Sequence, residues 1–190
     1  MVESKPQPLF GGCIGCVFPV DMVDVSTLRQ VPDHQEVRVR VEGEPLRQTM
    51  IVDLLEMVSE PDMDKALTHH LKDLMLSLEP EQGQELSRQL VPIPKQVCEA
   101  RLGKGSRVMS CTHRLKTTRG RKGTTDESEA EIVYLHLALL RVPRATSDIV
   151  VSVTTPVAKV NDTVPEGQDL FRAAVGTFAI LDWGLFGEGV

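Results

Sequence analysis

Hydrophobic and polar residues alternate along short stretches of this chain, a pattern that is typical of half-buried β-strands. The clearest case is EVRVRV at residues 36–41, where every second residue is valine. Runs that are mostly apolar and bounded by glycine, proline or polar residues predict more strands. These further strands lie at residues 9–19, 97–102, 107–115, 132–142 and 148–155.

The run TMIVDLLEMV at residues 49–58 fits two structures. Its larger apolar residues recur at a helical spacing, at Ile51, Leu54, Leu55 and Val58. The same run also fits a strand that is covered on both faces. Because no clear N-cap residue precedes the run, we favour the strand.

Two other segments predict long helices. The sequence SEPD at residues 59–62 resembles a capping box, and apolar residues then recur every three or four positions as far as Leu78. A second capping box at residues 163–166 precedes another apolar stripe. This stripe consists of Phe171, Ala174, Phe178 and Leu181.

Three segments follow neither pattern. Residues 79–95 are rich in Gln, Glu and Pro, which predicts a loop. The sequence GKG at residues 103–105 is typical of a hairpin turn. The polar stretch around residues 116–131 is basic first and acidic afterwards, and we expect it to be a mobile loop.

About six strands therefore follow one another mostly without intervening helices. This order favours an antiparallel sheet and the α+β fold class. A length of 190 residues fits one domain over residues 1–190 and is enough to bury a sizeable core. No apolar run approaches the ~20 residues that a membrane helix needs, and no signal peptide is evident at the N-terminus.

Charge is distributed unevenly along the chain. Residues 95–122 hold nine basic residues and one acidic residue, which leaves 12 of the 21 basic residues against 26 of the 27 acidic ones elsewhere. An acidic surface repels nucleic acid and anionic lipid and favours a basic partner. The sequence therefore predicts a protein partner, and neither nucleic acid nor a membrane.

The sequence Cys13-Ile-Gly-Cys16 has the C-x-x-C spacing of redox pairs and of zinc sites. If residues 9–18 form one strand, the two side chains point to opposite faces and lie ~10 Å apart along it. A redox pair instead begins a helix, where the dipole lowers the thiol pKa. We therefore interpret these cysteines as buried structural thiols, and a chain with four cysteines and no leader suggests a reducing compartment.

Other catalytic signatures are weak or absent in the sequence. Residues 102–106 lack the order of a phosphate-binding loop, and neither G-x-S-x-G nor H-E-x-x-H is present. We predict no catalytic residues, no cofactor and no metal.

A carboxylate inside an apolar run, as at Asp53, is costly unless it is paired or exposed. A structural ion pair with Arg29, Arg38 or Arg40 is one interpretation. The alternative is that Asp53 contacts a partner protein.

Three longer motifs stand out in this chain, LFGG at residues 9–12, DVSTLRQVPDHQEV at 24–37 and IVDLLE at 51–56, with shorter ones around 70–74, 138–141, 148–153 and 185–186. These motifs resemble those of the Ran guanine nucleotide release factors, the Mog family. Together they extend over most of the chain. Residues 79–131 diverge from the family pattern.

The resemblance implies a PsbP-like fold, in which an antiparallel sheet lies between helices. It also implies a protein that binds the small GTPase Ran and promotes loss of its bound guanine nucleotide, in support of nuclear transport. Such a protein regulates a GTPase and forms no covalent intermediate. It is expected to be a monomer in the nucleus, with the cytoplasm as a second candidate location. The family's acidic Ran-binding surface corresponds here to Asp53 and Glu56, with Asp24, Arg29, Asp33 and Glu36 as neighbours.

One geometric question follows from this assignment. On a regular strand Asp53 and Glu56 face opposite ways, so both reach one partner only if the segment bulges, ends near Asp53 or is helical. Two other functional classes also fit the sequence. They are a PsbP-like adaptor without an effect on nucleotide, and a thiol- or metal-dependent enzyme that uses Cys13 and Cys16.

Overall fold

A computed structural model describes residues 3–40, 48–117, 131–157 and 167–187. Its three helices are α1 (Met63–Leu78), α2 (Lys95–Leu102) and α3 (Gln168–Thr177). Its strands are β1 (Ser4–Leu9), β2 (Ile14–Pro19), β3 (Val23–Asp24), β4 (Gln35–Val39), β5 (Thr49–Glu56), β6 (Gln82–Leu90), β7 (Arg107–Thr117), β8 (Glu131–Val142), β9 (Ser147–Val157) and β10 (Ala179–Ile180).

The strands form two antiparallel sheets. The larger sheet has seven strands in the order β3-β4-β5-β9-β8-β7-β6, and the smaller one has the order β1-β2-β10. The predicted α+β class with an antiparallel sheet is therefore confirmed. The strand over residues 49–58 is confirmed as well, because β5 pairs with β4 on one side and with β9 on the other.

Each face of the large sheet is covered by a separate apolar layer. Leu135, Leu137 and Leu139 of β8 pack with Leu67 of α1 on one face. The alternate residues of β8, together with β2, α2 and α3, form the layer on the other face. The central strands are buried on both sides, which explains why their sequences are almost continuously apolar rather than alternating.

The helix caps differ in part from the sequence prediction. Asp62, not Ser59, is the N-cap of α1, since its carboxylate accepts hydrogen bonds from the backbone N–H groups of Asp64 and Lys65, each at 3.0 Å. The capping box predicted at residues 163–166 lies outside the described residues. Among the described helices, none has the length and the apolar composition needed to cross a membrane.

The segment between α1 and β7 was predicted wrongly. Residues 79–95 are not a loop, because they contain β6, which is the exposed edge of the large sheet. Residues 97–102 belong to α2 and not to a strand. The GKG sequence consequently joins a helix to a strand rather than two strands of a hairpin.

The opening segment is a hairpin rather than one strand over residues 9–19. A 3-10 turn at Phe10–Gly12 reverses the chain between β1 and β2, and Gly11 and Gly12 take the positive φ values of 65° and 97° that favour glycine. Of the polar loop expected around 116–131, residues 116 and 117 end β7 and residue 131 begins β8. Residues 118–130 lie outside the described part of the chain.

Candidate partner-binding site

Asp53 and Glu56 lie on a regular strand. The pairing of β5 with β9 runs without a register shift from Thr49 opposite Thr154 to Glu56 opposite Ser147. The two carboxylates therefore alternate to opposite faces, about 10 Å apart along the chain. The segment therefore neither bulges nor forms a helix. Glu56 is exposed and is the last residue of the strand. A partner can contact both carboxylates only around this end of the sheet.

Asp53 lies half-buried on the face that α1 covers. Its Oδ1 accepts a hydrogen bond of 2.7 Å from Nε2 of Gln35, the residue opposite it on β4. Burial raises the pKa of the Asp53 carboxyl, although this hydrogen bond and the nearby His34 and His70 act in the opposite direction. Loss of water is therefore the largest influence on this group.

The ion pair considered for Asp53 is not present among the described residues. Arg38 instead contacts Asp24 at 3.2 Å and Glu36 at 3.0 Å. Arg40 contacts Asp21 at 3.0 Å. The interpretation of Asp53 as a carboxylate capped by an arginine is therefore wrong.

Asp24 and Glu36 serve the fold of the neighbouring loops. Asp24 Oδ1 accepts a hydrogen bond from the Ser26 backbone N–H at 2.8 Å, which caps the 3-10 turn at Val25–Thr27. Slight burial raises the pKa of Asp24, but the Ser26 hydrogen bonds and the Arg38 charge outweigh it and lower the pKa. Glu36 Oε1 accepts a 2.6 Å hydrogen bond from the Phe10 N–H and so ties β4 to the opening hairpin.

Arg29 and Asp33 lie in the exposed segment between this turn and β4. The Arg29 backbone N–H donates to the Val25 carbonyl at 3.0 Å, while its side chain is exposed. His34, next to Asp33, accepts a 2.8 Å hydrogen bond at its carbonyl from the Leu54 N–H. This bond places Asp33 close to the end of β5.

A cleft of about 660 Å³ opens at that end of the sheet. Asp33, His34 and Glu56 are exposed lining residues and form its polar rim. Its apolar lining is formed by Leu54, Leu55, Met57, Ala145, Leu185 and Phe186. We call this feature the acidic cleft, and it offers a cationic and partly apolar side chain both charge and contact area.

The segment that follows Glu56 is held by a buried polar network whose residues are far apart in the sequence. Asp148 is fully buried and accepts two hydrogen bonds of 2.8 Å from Arg141, one of 2.9 Å from His70 and one of 3.1 Å from the Val58 N–H. Arg141 also donates to the carbonyls of Val58 and Glu60. Burial raises the pKa of Asp148, but Arg141 and His70 outweigh it and lower the pKa to about 2.

This network had a signal in the sequence. His70, Arg141 and Asp148 lie in three of the short motifs that resemble the Mog family. Their common role became visible only when the fold brought them together.

The four cysteines are free thiols. Cys13 ends the 3-10 turn and Cys16 lies inside β2, so the prediction that the two share one strand is wrong. Burial raises the pKa of Cys16 and of Cys111 to about 12, which keeps both thiols protonated at neutral pH. Within the described ranges, no three His, Cys, Asp or Glu side chains are grouped so as to hold a metal ion.

Comparisons with known proteins agree with these motifs. The family model described as "Ran-interacting Mog1 protein" matches residues 7–156. The Ran guanine nucleotide release factor of Danio rerio is 29% identical, with 95% of this chain and 99% of that protein covered. The protein of the same name from Bos taurus is 30% identical over 82% and 78%. The nuclear import protein MOG1 of Saccharomyces cerevisiae is 26% identical over 97% and 86%.

Solved structures give the same result. The Ran-binding protein Mog1p of Saccharomyces cerevisiae superposes with a TM-score of 0.75 at 25% identity, covering 98% of this chain and 100% of that one. The cyanobacterial PsbP of Synechocystis has a TM-score of 0.54 at 10% identity, which shows a shared fold alone. The described fold is thus PsbP-like, and the chain belongs to the family of Ran-interacting Mog1 proteins.

Proposed function

We propose that this chain binds the small GTPase Ran and promotes release of its bound guanine nucleotide, and that it acts in this way in nuclear protein import. It does so as one domain over residues 1–190, as a regulator that forms no covalent bond with its partner. The names of its relatives support the Ran-related role in nuclear import.

The acidic cleft is the observation that carries this proposal. Glu56 ends β5 in the open, and Asp33 lies on the same rim above an apolar lining. Among the described residues, neither carboxylate has an ion-pair partner in this chain. Two exposed carboxylates beside apolar surface fit a lysine or arginine of a partner protein.

The other predicted residues take different parts in the proposed interface. We place Asp53 and Arg29 at the edge of the interface. Asp53 is half-buried on the face of β5 that α1 covers, and Arg29 lies in the exposed segment before β4. Asp24 and Glu36 already bind Arg38, so we assign them the positioning of the loop that carries Asp33.

The proposed mechanism is competition for charge. A GTPase holds its nucleotide with a lysine and with Mg²⁺ at the phosphates. Carboxylates that engage such cationic groups weaken their hold on the phosphates. Release requires that the chain binds the nucleotide-free state more tightly than the loaded state, and each tenfold loss of nucleotide affinity needs a difference of ~1.4 kcal/mol.

The decisive experiment measures release of a fluorescent nucleotide from Ran, loaded in parallel with GTP and GDP analogues, with and without this protein. We expect faster release with the wild type and no acceleration with Glu56→Lys. Glu56 is exposed at a strand end, so this variant tests the site with little risk to the fold.

The matched control is Glu3→Lys, which makes the same charge change at an exposed residue ahead of β1. It should accelerate release like the wild type. If the protein binds Ran but does not accelerate nucleotide release, the release activity is rejected and the alternative of an adaptor without an effect on nucleotide holds. If Glu56→Lys binds and releases like the wild type, the assignment of the interface is wrong.

A further inference from the structure

A second cleft lies beside α2, outside the site proposed for Ran. It measures about 510 Å³ and is formed by the end of β6, the linker to α2, α2 itself and the beginning of β7. Nothing in the proposed function uses it. It falls within the part of the sequence that diverges from the family pattern, so its role cannot be carried over from a motif.

The lining of this cleft is largely apolar. Leu90, Val91, Ile93 and Val108 contribute to it, together with Cys98 of α2. Leu90 is 63% exposed, although it ends a strand next to a hydrophobic lining. A leucine left open beside a concave apolar surface provides area that a bound side chain can cover.

The rim of the same cleft is cationic. Lys95 and Lys104 lie on it, and Glu99 is the one acidic residue among the described residues of the lining. The Glu99 carboxylate already accepts a hydrogen bond from the Gly105 N–H at 3.2 Å and lies 3.9 Å from Lys95. Within the described ranges Lys104 has no carboxylate partner. The Arg107 guanidinium is directed away from the cleft, because it donates to the Pro61 carbonyl at 3.1 Å and its charge helps to lower the pKa of Asp62 at the start of α1.

We propose that this basic cleft docks an acidic segment of a partner protein that carries at least one large apolar side chain among its carboxylates. The apolar side chain covers Leu90, Val91 and Ile93, and the carboxylates pair with Lys95 and Lys104. The chemistry of both parts is complementary to what the cleft offers. This surface is independent of the proposed Ran site.

The observations favour a peptide over a nucleic acid. The described residues of the lining include no aromatic ring on which a base could stack. The rest of the chain carries a large excess of acidic residues, which repels a long polyanion. A short segment with a few carboxylates avoids that repulsion.

Fluorescence anisotropy with a synthetic probe tests the proposal. The probe is a short fluorescein-labelled peptide of alternating glutamate and leucine, and its companion has serine at each leucine position. We expect saturable binding of the leucine probe in low salt. The serine companion should bind at least tenfold more weakly, since it loses the apolar contact. A labelled DNA duplex of similar length should bind more weakly than the leucine probe.

Two variants locate the binding. Lys95→Glu/Lys104→Glu should weaken the leucine probe at least tenfold, and so should Leu90→Ser, which removes the exposed apolar contact. The matched control is Lys5→Glu/Lys72→Glu, which makes the same charge change at exposed lysines on β1 and α1 and should bind like the wild type.

Three outcomes overturn the proposal. They are the absence of saturable binding, equal loss in the cleft and control variants, and a DNA duplex that binds as tightly as the leucine probe. The failure of this proposal is distinguishable from failure of the proposed function, because the cleft variants leave Asp33 and Glu56 intact and can be assayed for nucleotide release in parallel.

Discussion

Asp53 shows how a single residue can be unfavourable for folding. Its carboxylate has lost much of its water, and Gln35 supplies a neutral hydrogen bond instead of a charge. A group of this kind lowers the free energy of unfolding, and proteins keep such a cost where a residue serves a function. This is the physical argument for keeping Asp53 in the proposed interface although it is not the most exposed carboxylate.

We predict that Asp53→Asn stabilises the protein at neutral pH. The amide oxygen can still accept the Gln35 hydrogen bond, and no charge has to be desolvated. Because the pKa of Asp53 is raised in the folded state, the wild type loses stability as pH rises from the unfolded pKa through the folded one. Urea unfolding should therefore show a gap between variant and wild type at pH 7 that closes at about pH 3, below the unfolded pKa near 3.9. A variant that is less stable at every pH would contradict this account.

Asp148 is the opposite case, a buried carboxylate that is fully paired. Its pKa of about 2 lies below the unfolded value, so its contribution to stability is present above about pH 4 and is lost as pH falls toward 2. Asp148→Asn leaves Arg141 buried without its charge partner. We expect a loss of about 3–5 kcal/mol in the free energy of unfolding, and a smaller decline of stability between pH 4 and pH 2 than in the wild type.

Hydrogen exchange adds a readout for the role of Asp148 in positioning the segment after Glu56. The Val58 amide, which donates to Asp148, should exchange faster in the variant. Asp73→Asn, at an exposed position of α1, should change stability by less than about 0.5 kcal/mol. Unchanged protection of Val58 in Asp148→Asn would show that the network does not hold this segment.

At this scale the sequence could identify only what is visible locally. Asp53 was recognisable because a charge interrupts an apolar run. The contact between Asp148 and His70 was not, because the two residues are 78 positions apart in the chain and only the packing of α1 on the sheet brings His70 to Asp148 of β9.

The elements that were predicted correctly are those with a buried face. Helix α1 has apolar residues at the helical period, and β7, β8 and β9 are recognisable as apolar runs because both of their faces are buried. Strand β6 has no such pattern because it is an edge strand whose residues are almost all exposed on both faces. Helix α2 buries only Cys98 and Leu102, and two residues four apart are too few to separate a short helix from a strand.

The connection from α2 to β7 depends on Gly103. This residue has φ 87° and ψ 165°, a conformation that is almost restricted to glycine. A Cβ atom there would lie 2.8 Å from Cη2 of Trp183. The indole also stacks under the Arg144 guanidinium, whose carbon is 4.1 Å from the ring centroid.

We predict that Gly103→Ala lowers the free energy of unfolding by at least about 1–3 kcal/mol, the usual cost of this backbone conformation. The fluorescence of Trp183 should change as well, and it reports this site alone because the chain has one tryptophan. The control is Gly176→Ala in α3, where a Cβ meets nothing within 4 Å. It should raise stability by about 0.5–1 kcal/mol. Equal effects of the two substitutions would argue against the contact with Trp183.

On the scale of the whole molecule, the two clefts lie at the same end of the large sheet and carry opposite charges. Glu56 ends β5 there, and Arg107 begins β7. The turn between β8 and β9 lies between them, since Ala145 lines the acidic cleft while a Cβ at Gly105 would be 3.8 Å from Pro143. The uneven charge along the sequence thus places an acidic cleft and a basic cleft on either side of the β8–β9 turn at one end of the sheet.

This polarity predicts how salt affects the proposed complex with Ran. Charges at the rim of the acidic cleft act over about 10 Å at 0.1 M salt but over only about 3 Å at 1 M. Binding measured by surface plasmon resonance should therefore weaken as salt increases, mainly through a slower association rate. Glu56→Gln should reduce that salt dependence, because one interacting charge is gone. Lys104→Glu, in the basic cleft, should leave the salt dependence unchanged or make it steeper. An affinity that does not respond to salt would mean that the apolar lining rather than the carboxylates provides the attraction, and the mechanism by competition for cationic groups on the GTPase would then have to be given up.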